Sequence, residues 1–159
     1  MNSPAVDSLI IIGVGNPMRR DDGVGAAVIA QLEQAELIRN GDAVELVLLD
    51  GEPARLIEAW RGRRRAIVID AARAGVDAGR IHRVDVAVEP LPDWTTSGSS
   101  HSAGIAEAVA LAKVLDSLPD ELVVFGIEPA DLSLGEGLSP AVEAALPALV
   151  ELVIDEAGA

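Results

Sequence analysis

Three residues that commonly ligate metals stand at the ends of predicted elements. Asp22 lies in a glycine-rich segment, 13–25, that follows the first predicted strand, Asp70 ends the third strand, and His101 begins a helix. In open α/β sheets, ligands bind beyond the carboxyl ends of the strands. Two carboxylates and an imidazole can hold a divalent metal and leave coordination positions open. The spacing therefore predicts a site formed by Asp22, Asp70 and His101.

Each of these residues also has an ordinary structural explanation. Asp21 or Asp22 would commonly cap the helix that follows. Asp70 could hydrogen-bond a turn, and His101 could be solvated. A helix N-terminus disfavours the charged form of His101, which suits a neutral metal ligand. The residue types alone leave both interpretations open.

The glycine-rich segment has a competing interpretation as a phosphate-binding loop. It begins like a dinucleotide fingerprint, with Gly13 and Gly15 between a strand and a helix. Met18 stands where the third glycine of that pattern should be, and the following aspartates would repel a pyrophosphate. The sequence also has no Cys and no His-Glu-x-x-His motif, which excludes a thiolate site, a cysteine nucleophile and a zincin. A carboxylate-rich metal site is the better prediction.

Charge and hydropathy restrict the partners of this chain. The net charge is −14, from 26 acidic and 12 basic residues, which disfavours nucleic acid and favours a basic partner. No apolar run approaches the roughly 18 residues that span a bilayer, and no positive region precedes the first apolar stretch. We expect a cytoplasmic protein without a membrane partner. Acidic loop residues could line a partner surface: Asp93, Glu128, Asp131 and Glu136.

Short apolar runs alternate with longer helical patterns along the chain. The predicted strands are 9–14, 44–49, 66–69, 80–86 and 122–127, and the predicted helices are 21–39, 53–60, 101–118 and 139–155. The connection before the fourth strand is too short for a parallel crossover, so that strand should run antiparallel to the third. These patterns predict an α/β fold: a three-layer α/β/α sandwich around a five-stranded, mixed, mostly parallel sheet. The length of the chain predicts a single domain, 1–159.

Four stretches of the sequence resemble the hydrogenase maturation endopeptidases. They are Gly13-Val14-Gly15-Asn16 with Asp21-Asp22-Gly23-x-Gly25, then Val68-Ile69-Asp70-Ala71, then Ser100-His101, and finally Gly126-Ile127-Glu128-Pro129 with Gly137-Leu138-Ser139. They occur in order and span nearly the whole chain. The first stretch is the most specific of the four.

The resemblance implies an endopeptidase that recognises nickel in the precursor of a nickel–iron hydrogenase large subunit and removes its short C-terminal extension. It implies that Asp22, Asp70 and His101 contact the metal. Nickel is expected to arrive with the precursor, so the isolated protein is expected to hold no metal or another divalent ion.

Alternatives remain for both the chemical mechanism and the function. The metal, or water bound to it, would polarise the scissile peptide or supply the nucleophile. A carboxylate, Asp21 or Asp22, could instead act as a general base toward water. The alternative functions are a nickel-sensing chaperone that does not cut the precursor and a related peptidase with a different protein target.

Overall fold

The order of helices and strands follows the predicted alternation. The computed structural model describes residues 8–35, 38–39, 42–92 and 101–158, with the backbone alone described at 38–39, 42–43 and 101–103. The elements are β1 (Leu9–Val14), a 3₁₀ turn (Arg20–Gly23), α1 (Val24–Ala35), β2 (Ile38–Arg39), β3 (Asp42–Ala43), β4 (Glu45–Leu49), α2 (Pro53–Trp60), β5 (Arg65–Ala71), β6 (Ile81–Asp85), α3 (His101–Val114), β7 (Glu121–Ile127) and α4 (Pro140–Gly158).

Five of the strands form one mixed sheet in the order β4-β1-β5-β7-β6. All neighbours are parallel except β6, which pairs antiparallel with β7. Helices α1 and α4 cover one face, and α2 and α3 cover the other. The predicted α/β fold and its antiparallel strand are confirmed. The strand β6 does run opposite to β5, but β7 lies between them.

The core is mostly aliphatic and lies on both faces of the sheet, with one large aromatic residue in each layer, Trp60 and Phe125. Strand β1 is buried along its whole length. Ile10 and Ile12 pack in the α2/α3 layer, whereas Leu9 and Ile11 pack in the α1/α4 layer, as alternation along a strand requires. Continuous apolar runs are typical of such doubly covered parallel strands. None of the helices in the described ranges is long and apolar enough to cross a membrane.

The predicted first helix was wrong at both ends. The residues before Val24 form a 3₁₀ turn, and α1 ends at Ala35. Beyond it, Ile38–Arg39 pairs antiparallel with Asp42–Ala43. The Asn-Gly dipeptide between these strands is a strong hairpin signal. The helical spacing of apolar residues masked that signal in the prediction.

Helix α3 is also shorter than predicted, ending at Val114 instead of residue 118. Asp116 has a φ of 52°, and the Ser117 N–H donates to the Ala112 carbonyl at 2.9 Å. A left-handed residue with this hydrogen bond is a common way for a helix to end. The apolar sequence gave no sign of it.

A glycine contact shows where the first turns of α3 lie relative to the sheet. A Cβ on Gly104 would lie 2.1 Å from the Gly51 carbonyl oxygen, so α3 touches the segment that follows β4. His101 is one turn earlier, about 4.5 Å along the helix axis at 1.5 Å per residue. This contact places the start of α3 beside the carboxyl end of the sheet.

Replacing Gly104 by Ala should therefore destabilise the fold, because backbone atoms would have to move apart. We expect the free energy of unfolding to fall by about 1–3 kcal/mol in urea titrations. Gly158→Ala is the control, because no atom lies within 4 Å of a Cβ there. If both variants unfold at the wild-type midpoint, the close contact is not a constraint on the fold.

Candidate active site

Asp22 is held rigidly by the loop that precedes it. Asp22 is buried, and its Oδ2 accepts a hydrogen bond from the Asn16 N–H at 2.8 Å. Gly15 has a φ of 132°, and a Cβ there would lie 2.1 Å from the Asp22 carbonyl oxygen. Only glycine combines that backbone conformation with that lack of space. The loop thus folds back on itself and fixes the Asp22 carboxylate.

The other glycines of segment 13–25 have a packing role. A Cβ on Gly13 would lie 2.6 Å from the Gly25 carbonyl oxygen, and a Cβ on Gly25 would lie 2.7 Å from the Val14 nitrogen. The first turn of α1 therefore rests directly on the end of β1. This close approach accounts for the glycines without a bound phosphate.

Asp70 lies one residue before the end of β5 and is fully buried. It is in register with Gly126 of β7. Its neighbours on the same strand face, Val68 and Ala72, belong to the α2/α3 layer, so Asp70 is directed toward that layer. A buried carboxylate is costly unless other groups compensate its charge. Such a group is typical of a functional site.

The elements that carry the three predicted ligands converge at one rim. The 3₁₀ turn with Asp22 and the helix that begins with His101 both lie against β5, which carries Asp70. The His101 side chain is outside the described part of the structure. Among the side chains that are described, no group of three or more His, Cys, Asp or Glu residues forms a metal cluster. Because the predicted trio includes His101, its metal-binding role stays a prediction.

The neighbouring carboxylate, Asp21, has a different environment. It is fully buried, and its Oδ2 accepts hydrogen bonds from the N–H groups of Ala130 and Asp131 at 2.8 and 2.9 Å. Ser139 donates its N–H to Oδ1 at 2.7 Å and its hydroxyl to Oδ2 at 2.8 Å. These four hydrogen bonds join the glycine-rich loop to the loop between β7 and α4.

These contacts bear on the predicted roles of Asp21 and Ser139. Four hydrogen bonds reach the Asp21 carboxylate, three at Oδ2 and one at Oδ1. That favours a structural role, while its action as a general base stays a prediction. Ser139 stands just before α4, as predicted for a cap, but its hydroxyl donates to Asp21. Sequence reasoning missed this pair, which lies 118 residues apart.

The expectation that Glu128 lines an exposed surface was wrong. Glu128 is buried, and its carboxylate accepts hydrogen bonds from the N–H groups of Ala74 and Gly75 at 2.6 and 3.2 Å. It thereby holds the loop that follows Asp70. Its position directly after a buried strand is the signal that could have indicated this role. Glu136 is exposed and Asp131 partly so, whereas Asp93 is outside the described residues.

The hydrogen bonds to Asp131 lower its pKa. The Ser133 hydroxyl and N–H donate to its Oδ1 at 2.6 and 2.9 Å, and these hydrogen bonds lower the pKa of Asp131 below its ordinary value. Arg20, 3.6 Å away, acts in the same direction, and desolvation acts against both. This pair brings compensating charges to the surface beside the glycine-rich loop.

One histidine near Asp70 was not singled out by the sequence. His82 of β6, Gly126 of β7 and Asp70 of β5 occupy one row of the sheet. Val84 packs in the α2/α3 layer, and alternation directs His82 toward the same layer. His82 therefore shares a face with Asp70, with only a glycine between them in the row. The pairing of β6 with β7 was needed to see this.

Comparison with known proteins identifies the family. A family model described as hydrogenase maturation protease matches residues 27–156, which is more than half of the chain. The chain belongs to the hydrogenase maturation protease family. The members of this family are endopeptidases, hydrolases that cut within a polypeptide chain. The matched range begins after Asp22 and includes Asp70 and His101.

Individual members of the hydrogenase maturation protease family are similar over most of this chain. The hydrogenase 2 maturation protease of Escherichia coli strain K12 is 28% identical over 148 residues, covering 92% of this chain and 88% of that protein. The hydrogenase expression/formation protein HupD of Thiocapsa roseopersicina is 25% identical over 150 residues. That match covers 92% of this chain but 66% of the longer HupD protein.

Solved structures of hydrogenase maturation proteases have the same fold. The solution structure of an endopeptidase from Escherichia coli matches with a TM-score of 0.78 at 25% identity, covering 92% of this chain and 89% of that one. The hydrogenase maturating endopeptidase HybD from Escherichia coli matches with a TM-score of 0.75 at 23% identity, covering 94% and 91%. These matches agree with the five-stranded sheet described above.

The Asp21 network predicts a graded loss of stability. Asp21→Asn replaces one acceptor oxygen by an amide that faces a donor, so we expect the free energy of unfolding to fall by roughly 2–3 kcal/mol. Ser139→Ala removes a single hydroxyl donor and should cost about 1 kcal/mol. Urea unfolding of both variants measures the difference. Equal stability of Asp21→Asn and wild type would contradict the structural role.

The pKa of Asp131 predicts a small acid sensitivity. Because this pKa is lower in the folded than in the unfolded chain, the interaction stabilises the fold above the ordinary value of about 3.9, and the stabilisation is lost as pH falls through the lowered value. Ser133→Ala removes the hydroxyl donor, so the pKa of Asp131 should rise. Carboxyl ¹³C titration by NMR measures it, and an unchanged titration curve would refute the assignment.

Proposed function

We propose that this chain is the endopeptidase that recognises nickel in the precursor of a nickel–iron hydrogenase large subunit and removes its short C-terminal extension. The proposal rests on one observation: two buried carboxylates, Asp22 and Asp70, belong to neighbouring elements, and α3, which begins with His101, lies against the strand that carries Asp70. Membership of the hydrogenase maturation protease family supports this substrate.

The donor set suits a divalent metal that arrives with the substrate. Carboxylate oxygens and an imidazole nitrogen coordinate divalent ions of borderline softness such as nickel. The three donors come from three separate segments, so the protein alone would bind a metal weakly. Ligands from the precursor would complete the coordination. Cleavage would then occur only after nickel has been inserted, because the precursor without nickel lacks the central ion.

The held position of Asp22 matters for either chemical route. In one route, Asp22 would be a ligand of nickel. The nickel would polarise the scissile peptide, or water bound to it would supply the nucleophile. In the other, Asp22 acts as a general base toward the attacking water. Both require a carboxylate whose geometry is set before the substrate arrives. The hydrogen bond from the Asn16 N–H and the tight turn at Gly15 supply that geometry.

The acidic surface supports a protein partner of opposite charge. A net charge of −14 attracts basic surfaces over long range and accelerates encounter, an effect that salt weakens. The charge that faces the partner need not be catalytic. We propose that it steers the precursor toward the rim.

The direct test is the intact mass of the cognate precursor after incubation with the protein, with and without nickel in the precursor. We expect loss of a short C-terminal fragment from the nickel-loaded form alone. Stable binding without a mass change would instead indicate a chaperone. Cleavage that is independent of nickel would refute metal recognition.

Single replacements test the three proposed ligands. Asp22→Asn, Asp70→Asn and His101→Ala should each reduce the cleavage rate by a factor of at least about 100, the usual order of loss when a positioned catalytic group is removed. Asp155→Asn is the matched control, because Asp155 is an exposed carboxylate on α4. Wild-type rates for the His101 variant would remove that residue from the proposed site.

A further inference from the structure

Two large apolar side chains are exposed beside the candidate site. Met18 is 52% exposed and Leu134 is 81% exposed. They belong to different loops, the glycine-rich loop after β1 and the loop between β7 and α4. The Gly135 N–H donates to the Met18 carbonyl at 2.8 Å, so the two residues lie next to each other. We call this pair the Met18–Leu134 lip.

One backbone and one side-chain hydrogen bond hold the two loops of the lip in place. The Arg20 N–H donates to the Gly135 carbonyl at 3.0 Å, and the Arg19 Nε donates to the Leu132 carbonyl at 3.1 Å. The Asp21 carboxylate joins the same two loops. Because the backbone of both loops is fixed in this way, little backbone entropy is lost when a partner covers the lip.

A short chain of hydrogen bonds connects the lip to Asp22. The Met18 N–H donates to the Asn16 Oδ1 at 2.9 Å, and the Asn16 N–H donates to the Asp22 Oδ2 at 2.8 Å. Met18 and Asp22 are therefore tied together through Asn16 within one short loop. Continuity with the proposed cleavage site indicates that the same partner covers both.

The local charge indicates what kind of segment binds there. Arg20 and Asp131 lie 3.6 Å apart beside the lip and compensate each other. Two other charged residues that flank the lip in sequence, Arg19 and Glu136, are also one of each sign. The lip is thus close to neutral on a chain whose net charge is −14. A basic segment would gain little here, whereas an apolar side chain would be removed from water. An uncharged, extended segment is the best fit.

We propose that the Met18–Leu134 lip binds an apolar side chain of the precursor segment next to the scissile bond, and so determines which peptide is presented for cleavage. This inference rests on the proposed function. It assigns substrate positioning to residues that the proposed metal site does not use. It also gives a reason for the buried Asp21, which holds the two halves of the lip together.

The test measures initial cleavage rates of nickel-loaded precursor at several concentrations. For Met18→Ser combined with Leu134→Ser, we expect KM to rise by roughly tenfold, about the loss of one buried apolar side chain, with kcat within about a factor of two. A second double variant, Met18→Leu with Leu134→Met, keeps the surface apolar and should have the wild-type KM. Val114→Ser is the matched control, because Val114 is 83% exposed at the end of α3, outside the site.

The possible outcomes separate the two proposals. An active wild type with an unchanged KM in the double serine variant would overturn the lip and leave the proposed function standing. A wild type that cleaves no nickel-loaded precursor would overturn the proposed function and the lip together. Analytical ultracentrifugation adds a further check: if the double variant converts a wild-type dimer to a monomer, the lip is a contact between copies instead.

Discussion

The buried carboxylate of Asp21 is the interaction on which the candidate site depends. It accepts hydrogen bonds from three residues of the loop between β7 and α4, Ala130, Asp131 and Ser139, which are more than 100 residues away in sequence. A carboxylate placed among N–H and O–H donors is stabilised in a region where an isolated charge would be costly. The glycine-rich loop and the loop before α4 therefore form one rigid rim.

Adjacent aspartates have acquired different environments in this fold. Asp21 accepts four hydrogen bonds from a distant loop, whereas Asp22 faces back toward its own loop and the Asn16 N–H. Asp70 and Glu128 form a similar contrast: Asp70 lies near the end of a buried strand and Glu128 directly after one, but Glu128 holds the loop after β5 through the Ala74 and Gly75 N–H groups. Two carboxylates thus shape the rim, and two are left to the proposed chemistry.

The sequence predicts the sheet well because its signals are local. The position of β1 and that of Asp70 follow from the lengths of the apolar runs and from their alternation with helical patterns. Several failures of the prediction involve partners distant along the chain. Nothing near Asp21 indicates that Ser139 will donate to it, and nothing near Gly104 indicates contact with Gly51. The end of α3 depends on one left-handed residue, Asp116, which no periodicity reveals.

The most direct measurement of the central claim is X-ray absorption at the nickel edge, on nickel-loaded precursor mixed with an equal amount of the protein and frozen before cleavage. We expect oxygen and nitrogen neighbours to join the nickel in the complex, and we expect Asp70→Asn and His101→Ala each to remove part of this change. A nickel environment identical in free and bound precursor, in a mixture that goes on to cleave, would contradict direct ligation by this protein.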